Sequence, residues 1–162
     1  GRIVDLGAAP GGWSQIAADR VKSKEGRGKV VGVDLLDMEP IPGVTFAVKD
    51  FNDDDAPALI KEMLGGQADG VMSDMAANAT GHKQTDHLRI VALAELAFEF
   101  SFDVLAPGGF FVAKVLQGGT EGQVLARLKK EFASVRHVKP AASRADSAEL
   151  YVLAMGFRGK EA

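Results

Sequence analysis

The sequence predicts an α/β protein: a mostly parallel sheet with helices on both faces. Three observations predict it. Short β-branched apolar runs alternate with helical patterns along the whole chain. The first run, Ile3-Val4-Asp5-Leu6, passes straight into a glycine-rich turn, Gly7-Ala8-Ala9-Pro10-Gly11-Gly12. The last two runs have no helical pattern between them, only residues 139–149, which allows an antiparallel hairpin at one edge of the sheet.

The elements follow in order. Arg2–Leu6 reads as a strand and residues 12–21 as a helix opened by the glycine turn. Residues 29–35 (Lys-Val-Val-Gly-Val-Asp-Leu) form a second strand and Val44–Val48 a short third. Residues 55–64 form a helix with Pro57 in its first turn, where a missing N–H costs nothing, and Gly65-Gly66 ends it. Residues 70–74 make a strand that ends on an acid. Residues 85–105 make a long helix, apolar on most sides, with one polar stripe at Glu95, Glu99 and Asp103. A wet face that narrow requires neighbours over the rest. Pro107-Gly108-Gly109 is a turn, and residues 110–116 are a strand. Residues 120–132 are an amphipathic helix with Val124, Leu125, Leu128 and Phe132 facing inward. Residues 135–138 and 150–156 are the closing strands.

With 162 residues, 46% hydrophobic and 25% charged, the chain suits a single domain, 1–162, with a real core. It has no cysteine, so it has no disulfide framework and no thiolate metal site. No apolar run reaches membrane-spanning length and no basic-then-apolar leader opens the chain, so a cytoplasmic location is expected. Gly1 stands almost directly before a core strand, and we expect a short natural N-terminal segment ahead of it. The net charge is 19 − 22 = −3, so a nucleic-acid partner would need locally clustered Lys and Arg. Lys129, Lys130, Arg136, His137, Lys139 and Arg144 form one basic stretch, and His82, Lys83, His87 and Arg89 a second. Lys129 and Lys130 read first as solvated helix surface, and Arg144 as the better phosphate contact. His82 and His87 lack ligand spacing and a nearby acid cluster, so no metal is expected.

The glycine turn is a degenerate dinucleotide fingerprint. Ala9 replaces the second glycine, and Pro10 removes an N–H that a pyrophosphate would use, which argues against NAD. Such a loop suits a cofactor without phosphates, such as S-adenosylmethionine (AdoMet), although a glycine cluster by itself is equally a tight turn. Asp34, ending the second strand, is placed to accept both ribose hydroxyls. Asp50, followed by Phe51, is placed to accept from an adenine amino group. Each aspartate alone is more often a cap or turn residue. Asp74 ends the fourth strand, and Lys114 lies inside the apolar Phe111-Val112-Ala113-Lys114-Val115. Lysines are almost never buried unless paired, so Lys114 is either the partner of an acid such as Asp74 or a snorkelling residue at a strand end. Glu149 enters the final strand near the same end of the fold.

Four segments together, DLGAAPGGWSQ (5–15), MSDMA (72–76), LAPGGFFVAK (105–114) and KPAASRADSAELY (139–151), resemble the FtsJ/RrmJ-type ribose 2′-O-methyltransferases, in order and across essentially the whole chain. The resemblance implies a Rossmann-like, seven-stranded AdoMet-dependent methyltransferase sheet. It implies cofactor contacts at Gly7, Pro10, Gly11, Gly12, Trp13, Asp34, Leu35, Asp50, Phe51 and Asp74. It implies a catalytic Lys-Asp-Lys-Glu set in which Asp74, Lys114 and Glu149 match the last three members. The first lysine of that set falls upstream of the glycine turn and has no counterpart here. Ala77-Asn78 stands where the family often has proline before the asparagine. The implied activity is methylation of a ribose, a uridine in 23S ribosomal RNA of the large subunit, by a monomeric enzyme. The alternatives are 2′-O-methylation of transfer RNA or a cap, methylation of a small molecule or protein, and a noncatalytic AdoMet- or RNA-binding module.

Overall fold

The computed structural model describes residues 1–6, 28–34, 40–50, 53–73, 83–116, 121–138 and 149–159. Seven strands form one sheet: β1 (Arg2–Leu6), β2 (Lys29–Asp34), β3 (Val44–Val48), β4 (Ala68–Ser73), β5 (Leu105–Leu116), β6 (Phe132–Val138) and β7 (Glu149–Phe157). Their spatial order is β3-β2-β1-β4-β5-β7-β6. The first five are parallel, and β7 runs antiparallel to both β5 and β6. The antiparallel pair expected at one edge is present, with β7 lying inside it and β6 outermost.

Three helices are described: α1 (Ala56–Leu64), α2 (Lys83–Val104) and α3 (Glu121–Glu131). They form one continuous core with a single face of the sheet. Ile60 and Leu64 of α1, Ala97, Phe98 and Val104 of α2 and Leu128 of α3 join Val4, Leu6, Val31, Val33, Val71, Phe111, Ala113, Val152 and Ala154. Strand alternation explains the choice, since these strand positions share one parity. Phe98 packs edge-on against Phe102 and Phe111, with ring centroids 6.0 and 6.1 Å away. Arg127 of α3 lies over the Phe98 ring, 4.9 Å from its centroid, and pairs with Glu99. The polar stripe of α2 is exposed as expected at Glu95, Glu99 and Asp103. The opposite face holds a smaller cluster, Ile3 and Val30 with Val44, Met72 and Phe110. The helix expected over residues 12–21 lies outside the described residues.

Two boundaries move for tertiary reasons. Leu105, expected to close the long helix, instead opens β5, because it pairs with Ala68. Pro107-Gly108-Gly109, expected as a turn before the strand, sits within β5 where its register against β4 shifts between Ala68 and Gly70. Phe132, expected in the last helix, opens β6 opposite Phe157. Gly156 takes φ +74°, a conformation that favours glycine, and the alternation of β7 breaks there. Phe157 therefore turns into the same core as Ala154, 5.2 Å from the Phe132 ring.

Candidate active site

The order of strands reverses direction after β3, so β1 and β4 lie side by side at a topological switch point. In open α/β sheets the ligand crevice lies beyond the carboxyl ends of the strands at such a point. That rim is formed here by Leu6, Asp34, Val48, Ser73 and Leu116, together with the start of β7 and the end of β6.

Asp34 is the last residue of β2, half-buried, and pairs in register with Val48 of β3. Its carbonyl accepts from the Lys49 N–H at 2.9 Å, which carries β3 into the segment holding Asp50. Asp50 is half-buried, and its carbonyl accepts from the Asp53 N–H at 3.1 Å. The Lys49 ammonium closes the turn, 2.8 Å from Asp55 Oδ1 and 3.4 Å from Asp53 Oδ2. Asp55 occupies the N-cap position of α1 but makes no side-chain cap hydrogen bond, and its carboxylate goes to Lys49 instead. The hydrogen bond to Asp55 raises the Lys49 pKa above its ordinary value, and the same bond lowers that of Asp55.

Lys114 lies near the far end of β5, half-buried, on the face opposite the helical core, since Phe111 and Ala113 take the core side. Its partner on β7 is Tyr151. Glu149 pairs with Leu116, so its backbone position is one diagonal step from Lys114 on the same side of the pleat. On β4, Ser73 pairs with Ala113, which brings the fourth strand's end beside Lys114. Following the registers across the sheet, Asp34 and Lys114 fall in one row along the rim, three strand spacings apart. At about 4.8 Å per spacing that sets an acid and an amine about 14 Å apart along the rim. Asp34 and Asp50 place two half-buried aspartates on this rim.

Among the sequence-predicted residues, the structure thus brings Asp34, Asp50, Lys114 and the backbone of Glu149 to one rim. Gly7, Pro10, Gly11, Gly12, Trp13, Leu35, Phe51 and Asp74 lie outside the described residues. Tyr151 was not singled out from the sequence. Its signal was available: it is the only tyrosine in the chain and stands two residues past Glu149, on the same face of the same strand. An open cavity at the opposite rim, lined by Arg2, Lys29, Leu64 and Asp69 among others, is remote from this row. There the Arg2 N–H donates to Asp69 Oδ2 at 2.7 Å and Nε to the Leu64 carbonyl at 3.1 Å, a latch between β1 and the α1–β4 turn.

The pattern of the FtsJ-like methyltransferase family matches residues 1–157. A protein of Xanthobacter autotrophicus named ribosomal RNA large subunit methyltransferase E is 71% identical over 98% of this chain, which covers 63% of that protein. A protein of the same name from Azorhizobium caulinodans is 66% identical over 98% of this chain, which covers 66% of it. The chain therefore spans slightly less than two thirds of these relatives. Among solved structures, one from Plasmodium falciparum described as a ribosomal RNA methyltransferase superposes with a TM-score of 0.83 at 29% identity, covering 98% of this chain and 87% of that one. A SAM-dependent O-methyltransferase of Thermotoga maritima shares the fold alone, with a TM-score of 0.62 at 17% identity over 96% of this chain and 59% of its own.

Proposed function

This chain belongs to the FtsJ-like methyltransferase family, and from that premise we propose that it transfers a methyl group from AdoMet to a ribose 2′-hydroxyl of RNA. The substrate we propose is a uridine of 23S ribosomal RNA in the large subunit, with the protein working in the cytoplasm as a monomer. The names of the two bacterial relatives support the ribosomal substrate. The observation that carries the reading is the rim row, which sets Asp34 and Lys114 on one line with Glu149 a diagonal step from the lysine.

AdoMet, when bound, supplies an electrophilic methyl on a sulfonium that needs no further activation. Asp34 holds the ribose hydroxyls of the nucleoside end, and Asp50 with Phe51 holds the adenine. Gly7, Pro10, Gly11, Gly12, Trp13 and Leu35 complete that side of the pocket. A ribose hydroxyl is a weak nucleophile and must lose its proton on or before attack. As the 2′-oxygen takes up the methyl group that bound AdoMet would supply, the Lys114 amine accepts or steers the hydroxyl proton. Asp74 and Glu149 orient that amine. Alignment of the reactants contributes much of the rate, since well-oriented partners are worth about 7–11 kcal/mol.

The test uses this chain and a fusion carrying the residues of the Xanthobacter relative that flank the matched region. Calorimetry measures AdoMet binding, and tritium transfer to large ribosomal subunits and to free ribosomal RNA measures activity. The fusion is expected to label the subunits at a ribose. Lys114→Ala is expected to lower transfer by about 10²–10⁴-fold with AdoMet affinity unchanged. Near-normal transfer by that variant overturns the role of Lys114, and AdoMet binding without transfer by the fusion overturns the methyltransferase reading.

A further inference from the structure

The face of the sheet that carries Lys114 continues over β7 and β6. There it presents Tyr151, Leu153 and Met155, paired in register with Val138, Arg136 and Ser134. The alternate residues Val152 and Ala154 are buried against the helices, at 2% and 0% exposure. On the Lys114 side, Met155 is 48% exposed and Val138 37%, and Arg136 and Ser134 are exposed as well. None of these six positions carries a carboxylate. Among the described residues, no acid lies within ion-pair distance of Arg136. Among the described residues the result is an apolar shelf with one cation on it, continuous with the candidate active site and ending at β6, the outermost strand.

We propose that this shelf holds the RNA strand next to the target nucleotide, with Arg136 on a backbone phosphate and Val138 and Met155 beneath the neighbouring bases. The proposal rests on the methyl-transfer reading, which places the reacting ribose at Lys114. Val138 lies in the same row as Lys114, two strands away, and Arg136 lies one row behind it. Strand spacing and rise put the Cα atoms of Lys114 and Arg136 about 12 Å apart. A long guanidinium side chain spans part of that gap, so its charge meets the backbone close to the reacting ribose. The chemistry is that of single-stranded RNA recognition, in which apolar surface takes the base faces and Arg or Lys the phosphates. A chain with net charge −3 has no bulk attraction for RNA, so a cation with no acid beside it among the described residues carries disproportionate weight. A small substrate would need no such surface beyond the reacting row, whereas a polymer must leave the site over some edge.

The experiment titrates a fluorescent, uridine-rich single-stranded RNA into the fusion protein across a salt series. It is paired with the subunit methylation assay, AdoMet calorimetry and thermal melting. Arg136→Gln is expected to weaken RNA binding severalfold and to reduce the slope of log K against log salt by about 0.7, the loss of one phosphate contact to a single strand. Arg136→Lys is expected to restore the slope. Val138→Glu, which sets a negative charge on the shelf, is expected to raise the KM for RNA severalfold with kcat and AdoMet affinity unchanged. Melting temperatures are expected to stay at the wild-type value, because both positions are exposed. An unchanged affinity and salt slope in Arg136→Gln overturns the proposal. So does a wild-type protein that fails to bind the RNA, or a loss of binding that tracks a loss of stability. The two readings separate cleanly. Methyl transfer with an unaltered Arg136→Gln leaves the function standing and removes the shelf, whereas a reduced salt slope without any transfer leaves the shelf and removes the function.

Discussion

Neighbouring residues of β5 and β7 live in opposite surroundings. Phe111, Ala113, Val152 and Ala154 point into the helical core and are at most 2% exposed. Phe110, Val112, Lys114, Tyr151 and Leu153, interleaved with them, are only half-buried on the other side. The backbone ladder is shared, so the difference comes from what is laid over each face. On one side α2 and α3 bury aromatic and aliphatic side chains, and the strands are fixed in register by that packing. On the other side the same fixed register holds a lysine, a tyrosine and, one strand further, an arginine at set spacings. One face is packed by helices, and on the other the same register fixes the spacing of these side chains.

Mutations on the two faces should therefore differ in kind. The largest expected effect on stability is Phe98→Ala. The ring is 1% exposed, sits between Phe102 and Phe111, and carries Arg127 on its surface. Its loss is expected to cost about 3–5 kcal/mol in urea unfolding, while AdoMet affinity of the molecules that remain folded stays unchanged. A cost under about 1 kcal/mol would mean that the helical side is not the stabilising one.

Gly70→Ala sharpens the contrast from the other side. A Cβ at Gly70 would lie 2.2 Å from the Phe110 ring, which rests against that backbone. We expect a loss of about 1–3 kcal/mol from overpacking, and partial recovery in the Gly70→Ala/Phe110→Leu double variant. Additive costs in that cycle would show that the ring is free to move aside and that this part of the open face is loosely held. The smallest effect is expected at Met155→Ser. Nearly half of Met155 is exposed, and the change should move the unfolding free energy by no more than about 0.5 kcal/mol. A loss of several times that size would mean that the shelf belongs to the folding core.

Much of this could be read in the amino-acid order. Sequence pattern predicts Arg2–Leu6 and Val44–Val48 at their observed bounds, and β2 and α1 to within one residue. Hydrophobic periodicity and turn residues are local signals, and these elements obey them. Pattern and structure part where long-range pairing overrides local preference. Leu105 continues a helical run in sequence yet hydrogen-bonds into the sheet beside Ala68, and Phe132 does the same opposite Phe157. In the candidate site, Lys114 stood out because a cation inside an apolar strand is rare, and Asp34 and Asp50 stood out because acids ended strands. Tyr151 stands out in the sequence only as the single tyrosine, and its register opposite Lys114 is what gives it interest.

By itself the sequence determined which stretches are strands and helices, and which polar residues interrupt apolar ones. Both depend on side chains a few positions apart, so a linear reading captures them. The tertiary structure alone decided that β7 slips between β5 and β6, that Asp34 and Lys114 share a row, and that Arg136 lies on the same face as the lysine. Those relations join residues up to 80 positions apart, from Asp34 to Lys114, through sheet order and register. Packing of the whole core selects that arrangement, because a slip of one residue would carry every buried side chain to the wrong face.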